Sequence, residues 1–307
     1  MAQNLSLQKH KNKLQEEGPA YRVFTVFNTL FLILAVICTF YPIYYVLIAS
    51  ISSASGLAAN YGMLWLPIQP VSLTAYEMVF RNSLVLSGYA NTLIVLIVGL
   101  MFNMALTVMG AYALSLNGAM FTKPISLLVL FTMYFSGGMI PTYFNIKNLG
   151  LMDTLWSLIL PGAVNTYNLL IMRSAFAAMP DSLYEAAYLD GASHARILTQ
   201  VYIPLSGATM AVMVLYYGVS HWNSWFNASL YISTTSKYPL QLVLRQILIL
   251  NQNSELNATM VDDGEQALYA DLIKYALIVV STLPILILYP FLQRFFAKGV
   301  MVGALKG

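Results

Sequence analysis

Charge is scarce in this 307-residue sequence: 9% of the residues are Asp, Glu, Lys or Arg, while 59% are hydrophobic. Soluble domains carry roughly 25% charge, so a water-soluble fold is excluded and a lipid bilayer is the expected solvent. Cysteine occurs once, at Cys38, which excludes an intrachain disulfide and leaves the compartment unread. The three histidines, His10, His194 and His221, are too scattered for a metal site, and no cofactor is expected. Neither G-x-x-x-x-G-K-[ST] nor H-E-x-x-H occurs, so the chain is expected to hold no nucleotide-phosphate cradle and no catalytic residues. No Asp, Glu or Lys sits at the centre of an apolar run, which removes the groups a proton relay needs. A formal charge of +3 gives no reason to expect nucleic acid.

What is present is long apolar sequence. Six charge-free gaps of at least 19 residues occur: Val23–Tyr76, Asn82–Thr122, Pro124–Ile146, Thr154–Met172, Ile197–Ser236 and the gap that opens at Tyr275 and contains Ala276–Gln293. A membrane helix needs about 20 apolar residues. The expected fold is therefore an all-α membrane protein with six transmembrane helices near 23–50, 88–114, 124–144, 154–175, 206–232 and 272–294. Six spans put both termini on one side. Placing them inside gives ten of the 15 Lys and Arg residues to inner segments, as the positive-inside rule requires. Trp65, Trp156, Trp222 and Trp225 then fall near the outer interface, where amphipathic rings settle. The chain divides into a cytoplasmic tail at 1–21, a six-span transmembrane domain at 22–297 and a second cytoplasmic tail at 298–307. The first apolar run is too long for a signal-peptide core. Two large outer segments are expected, 52–87 and 233–271.

Between spans four and five lies "PDSLYEAAYLDGASHARILTQVYIPL", residues 180–205. Ser182 and Glu185 have the spacing of a capping box. Gly191 suits a helix C-terminus, Ser193 suits a second cap, and Pro204 interrupts the second helix. Two short helices with a glycine elbow follow. Leu183, Tyr184 and Ala187 share one face. Such an element is either a rigid knob that a partner grips or an amphipathic helix lying on the bilayer.

"EAAYLDGA" followed by "IPL" resembles the Glu-Ala-Ala loop of the inner-membrane permeases of binding-protein-dependent ABC importers. "NTLIV", "AYALS", "IPTYF", "MRSAFAAMPDSLYEAA" and "KGVMVGALKG" are similar to its maltose-type carbohydrate-uptake branch. "SHWNSWFNASLYI" and "YPLQLVLRQIL" resemble permeases found with Gram-positive oligosaccharide-binding lipoproteins. Two departures occur: Ile203 stands where leucine is usual, and Gly303-Ala304 where two glycines are usual. The resemblance implies a type I importer fold with cytoplasmic coupling helices in a bacterial plasma membrane. It implies four kinds of partner: a second, different permease chain, two ATPase subunits, an extracellular solute-binding lipoprotein and membrane lipid. It places Leu183, Tyr184, Glu185, Ala186, Ala187 and Gly191 in the ATPase cleft, and the tail residues Gly303, Lys306 and Gly307 at the same interface.

A substrate path has two candidate faces. Span two carries Gly99, Asn103, Thr107 and Ala111 at four-residue intervals, a small polar face that suits either helix packing or a pore. Span five carries His221, Trp222, Asn223, Trp225 and Asn227, where aromatic faces beside amides suit sugar rings or interfacial anchoring. The expected function is import of a carbohydrate, an oligosaccharide such as one derived from a plant polysaccharide. The alternatives are a permease of the same architecture for another solute, an ATP-independent carrier, and an intramembrane enzyme.

Overall fold

The computed structural model describes residues 18–60, 62–116, 118, 120–249, 269, 272–287 and 290, which contain helices and no strand. The expectations for Gly303, Lys306 and Gly307, the tail at 298–307, nearly all of the tail at 1–21 and the acidic part of segment 233–271 lie outside those residues.

Two helices are long and apolar enough to cross a bilayer unbroken. The first, α1, is Pro19–Ser50, with Pro42 in its interior. Most of its length is exposed, including Phe27, Leu30, Phe31 and Leu34. So large an apolar surface needs lipid or a partner against it. Two short helices follow, α2 (Ala54–Ala59) and α3 (Thr74–Arg81). Next comes α4, Ser83–Ser115, which starts where the Asn82 side chain accepts from the backbone amides of Leu84 and Val85.

Helix α4 is the central post. Gly88, Thr92, Val95, Gly99, Asn103, Thr107 and Ala111 are buried along it at helical spacing. Small residues there let neighbouring helices approach closely. A Cβ on Gly99 would lie 2.6 Å from Nε2 of His221, and one on Gly88 would lie 3.2 Å from the Leu240 backbone. Twenty residues separate Thr92 from Tyr112 (112 − 92) on this helix. At 1.5 Å per residue that is about 30 Å, the thickness of a bilayer's hydrocarbon core.

The remaining spans are broken. Helices α5 (Thr122–Tyr134) and α6 (Met139–Asn148) meet at 113° across a break that ends at Gly138, whose φ is +88°. The stretch at 154–175 divides into α7 (Trp156–Ile159) and α8 (Thr166–Ala177), separated by Pro161 and Gly162. After α9 (Asp181–Leu189) and α10 (His194–Ile197), a π-helical turn at Leu198–Tyr202 leads into α11 (Ile203–Leu205). Pro204 has no N–H to continue the ladder. The rod His194–Leu205 then meets α12 (Gly207–Trp222) at 87°. The helix breaks again before α13 (Trp225–Tyr231). Helix α14 (Leu240–Ile249) packs on the first turns of α4, and Leu272–Ile287 forms α15. Two unbroken spans, or four if each bent pair is one, are thus seen among the described residues.

Candidate functional site

Two regions are placed along α4, one at its C-terminal end and one beside its middle. The first is the elbow. Helix α9 begins at Asp181 with Pro180 before it and no side-chain cap, so Ser182 is inside the helix and the expected capping box does not form. Gly191 has φ +74°, the left-handed conformation expected of it. The Ser193 hydroxyl accepts from the Arg196 amide at 3.4 Å, capping α10 as expected.

Leu183, Glu185, Ala186 and Gly191 are exposed, and Tyr184 and Ala187 are half-buried. Leu189 is 86% exposed, an apolar side chain at the tip of the knob. A run of rings ties this knob to the spans. Tyr184 stacks on His194 with centroids 6.1 Å apart, and His194 Nδ1 lies 3.2 Å from the Tyr112 hydroxyl on α4. Tyr112 meets Tyr202 edge-on at 5.0 Å, and Tyr202 meets Phe176 of α8 at 5.4 Å. Arg173 Nε donates to the Leu114 carbonyl at 2.9 Å, closing the end of α4. The elbow is thereby braced on α4 and α8 together.

The second region is the face of α12. A pocket of about 870 Å³ opens between α8 and α12 at the Pro161–Gly162 break. Of the seven residues expected on a substrate path, His221, Asn223 and Asn227 line it. The other four hold helices together instead. Asn103 is fully buried and its Nδ2 donates to the Gly162 and Ala163 carbonyls at 2.7 and 3.0 Å. Its Oδ1 lies 2.6 Å from His221 Nε2. The Thr107 hydroxyl pairs with the Tyr217 hydroxyl at 2.7 Å, and the latter accepts from the Asn165 amide. Trp222 is buried with Tyr89 at its edge. Trp225 carries the Arg245 guanidinium 3.9 Å above its ring. Asn165, Asn168, Tyr216 and Ser220 also line the pocket. A helical count in alternating steps of three and four along span five would have added Tyr216 and Ser220 to Asn223 and Asn227.

At the same end of α4 as Thr92, the segment after α13 is latched down. Asp153, in the left-handed conformation at φ +55°, accepts through Oδ1 from the amides of Ser233 and Thr234. Its Oδ2 accepts from the Thr234 hydroxyl and Lys237 Nζ at 2.7 and 2.9 Å. These donors, Thr234 foremost, hold its carboxyl well below the usual carboxylate range. Asn91 Nδ2 donates to the Ser236 and Tyr238 carbonyls, and Thr92 accepts from the Leu240 amide. Sequence reading missed this clamp, because its partners are 80 residues apart.

Residues 116–302 match the family model for the binding-protein-dependent transport system inner membrane component. Protein LplC of Bacillus subtilis is 40% identical over 289 residues, covering 94% of this chain and 96% of LplC. The polygalacturonan/rhamnogalacturonan transport system permease protein YtcP of the same organism is 37% identical, covering 90% and 95% of the two chains. Among solved structures, a chain of a bacterial ABC transporter involved in the import of the acidic polysaccharide alginate aligns with a TM-score of 0.84 and 31% identity. That match covers 91% of this chain and 99% of the other. The apolar helical architecture and these near-full-length similarities have one conclusion: the chain belongs to the family of binding-protein-dependent transport system inner membrane components, the membrane permeases of ABC importers.

Proposed function

We propose that this chain is one half of the pore of an ABC importer that takes up oligosaccharides, powered by separate ATPase subunits that grip the elbow. One observation carries the reading: an exposed knob bearing Leu183, Glu185, Ala186 and Leu189 is braced by stacked rings on the helices that form the pore. A force on the knob would be passed to α4 and α8 as a rigid body, since packed side chains yield little. The 87° corner at Ser206 lays the rod 194–205 along the membrane surface when α12 crosses it. Counted with α1 and α4, the bent pair α5–α6, the α7–α8 pair, α12 with α13, and α15 make six spans. Both termini and the elbow are then cytoplasmic, and the Asp153 clamp is extracellular, where a solute-binding protein would dock. The carbohydrate assignment draws on the names of the relative YtcP and the alginate importer, and on the pocket of amides, hydroxyls and rings beside α12.

The test is purification of the tagged chain from its native membrane in mild detergent, with every co-purifying protein identified. The expected set is a second permease, a Walker-motif ATPase and a binding lipoprotein. A chain that emerges alone and folded contradicts the proposal and favours an ATP-independent carrier.

A further inference from the structure

Tyr216, Ser220, Asn223 and Asn227 recur at i, i+4, i+7 and i+11, one face of the path through α12 and α13. All four are exposed, and all four line the pocket of about 870 Å³ beside α8. Exposed polar side chains at membrane depth do not face acyl chains; they face a wet cavity or protein. The Ser224 hydroxyl, on the same pocket wall, is buried without a hydrogen-bond partner. The pocket's size falls in the ~300–1,000 Å³ range of small-molecule sites.

No residue lining it is Asp, Glu, Lys or Arg. Its polar groups are amides, hydroxyls and phenols, beside the His221 imidazole. Amides and hydroxyls both donate and accept, which matches sugar hydroxyls. A uronate carboxylate at this depth would lose its hydration with no cation to meet it, and that is costly. The rings of Tyr216 and Phe226 add apolar faces for a pyranose.

We infer that this pocket is a saccharide subsite within this subunit, and that it takes an uncharged sugar residue through its hydroxyls and ring face. The inference rests on the carbohydrate reading above.

The test uses the complete transporter, with partner permease, ATPases and binding protein, in proteoliposomes. The probe is a mixed enzymatic digest of pectin and hemicellulose, and uptake is followed by mass spectrometry. Asn223 and Asn227 are exposed, and the Asn223 side chain bonds only to Val219 of its own helix. Their substitution therefore spares the fold. In Asn223→Ala/Asn227→Ala the KM of each accumulated saccharide rises about three- to tenfold, the size of one or two lost hydrogen bonds. Asn223→Asp/Asn227→Asp keeps acceptors and costs no more than the alanine pair. Abolished uptake in the aspartate pair alone means a carboxylate passes here, and overturns the uncharged class. An unchanged KM in the alanine pair overturns the subsite. Absence of any saccharide uptake by the unaltered transporter sinks the carbohydrate reading itself.

Discussion

Asn103 and His221 meet at 2.6 Å across the α4–α12 contact. Because Nδ2 of Asn103 already donates to the carbonyls of Gly162 and Ala163, its Oδ1 is the acceptor and His221 Nε2 the donor. One amide thus joins α4, α12 and the loop between α7 and α8, and satisfies two carbonyls freed where Pro161 and Gly162 interrupt the helix. Asn103→Leu leaves the buried His221 Nε2 unpaired, at about 1–3 kcal/mol, and takes the donor from the Gly162 and Ala163 carbonyls. The melting temperature of the purified complex falls sharply, and expression falls with it. Gly99→Ala produces a similar loss through a methyl 2.6 Å from the same imidazole nitrogen. Wild-type melting in both variants contradicts the described packing.

The Asp153 clamp predicts a pH dependence. Its carboxyl is depressed from an ordinary 3.8, so its stabilisation is complete above that value and is lost as pH falls through the folded-state value below it. A spin label at Ser236→Cys, in a Cys38→Ser background, stays immobile from pH 7 to about 4 and loosens below that. In Asp153→Asn the label is looser at neutral pH and its acid transition disappears. Equal mobility at pH 7 with and without the Asp153 carboxylate rules the clamp out.

The elbow's exposed surface predicts uncoupling without unfolding. A Cβ on Gly191 meets no atom within 4 Å in this chain, so the internal cost of Gly191→Asp is its left-handed backbone, about 1–2 kcal/mol. Glu185→Lys alters only an exposed charge. Both variants reach the membrane at normal levels, and both lose most binding-protein-stimulated ATP hydrolysis. Normal transport by both sinks the coupling assignment.

The ring brace predicts a different failure. His194→Ala removes the stack on Tyr184 and the Tyr112 contact together. ATPase subunits still co-purify, and ATP hydrolysis continues, while uptake per ATP drops severalfold. Retention of full uptake per ATP shows that force does not pass through these rings.

Much of this was legible before the structure. The charge-free gaps gave α1 and α4 with starts four and five residues late, because an unbroken apolar run in lipid has no alternative to helix. Gly191 and Ser193 signalled the elbow through local backbone chemistry. The breaks at Gly138 and Pro161 were not placed, because hydropathy averages over them. Asn103 and Thr107 suit packing or a pore in sequence; their partners are on other helices, and only tertiary contacts show what they touch. Ser182 failed as a cap because the helix starts at Asp181, with Pro180 at the cap position two residues earlier. The Asp153 clamp left no trace, since nothing local marks a carboxylate whose donors lie 80 residues away.

The central claim is that separate ATPases drive this chain through α9. Its most direct test is a photo-crosslinker on Ala186→Cys, an exposed site, in a Cys38→Ser background within native membranes. The account predicts one principal adduct, whose second protein carries a G-x-x-x-x-G-K-[ST] sequence and whose yield changes with bound nucleotide. Crosslinking to lipid alone, with the transporter active, contradicts it and returns the elbow to a helix resting on the bilayer.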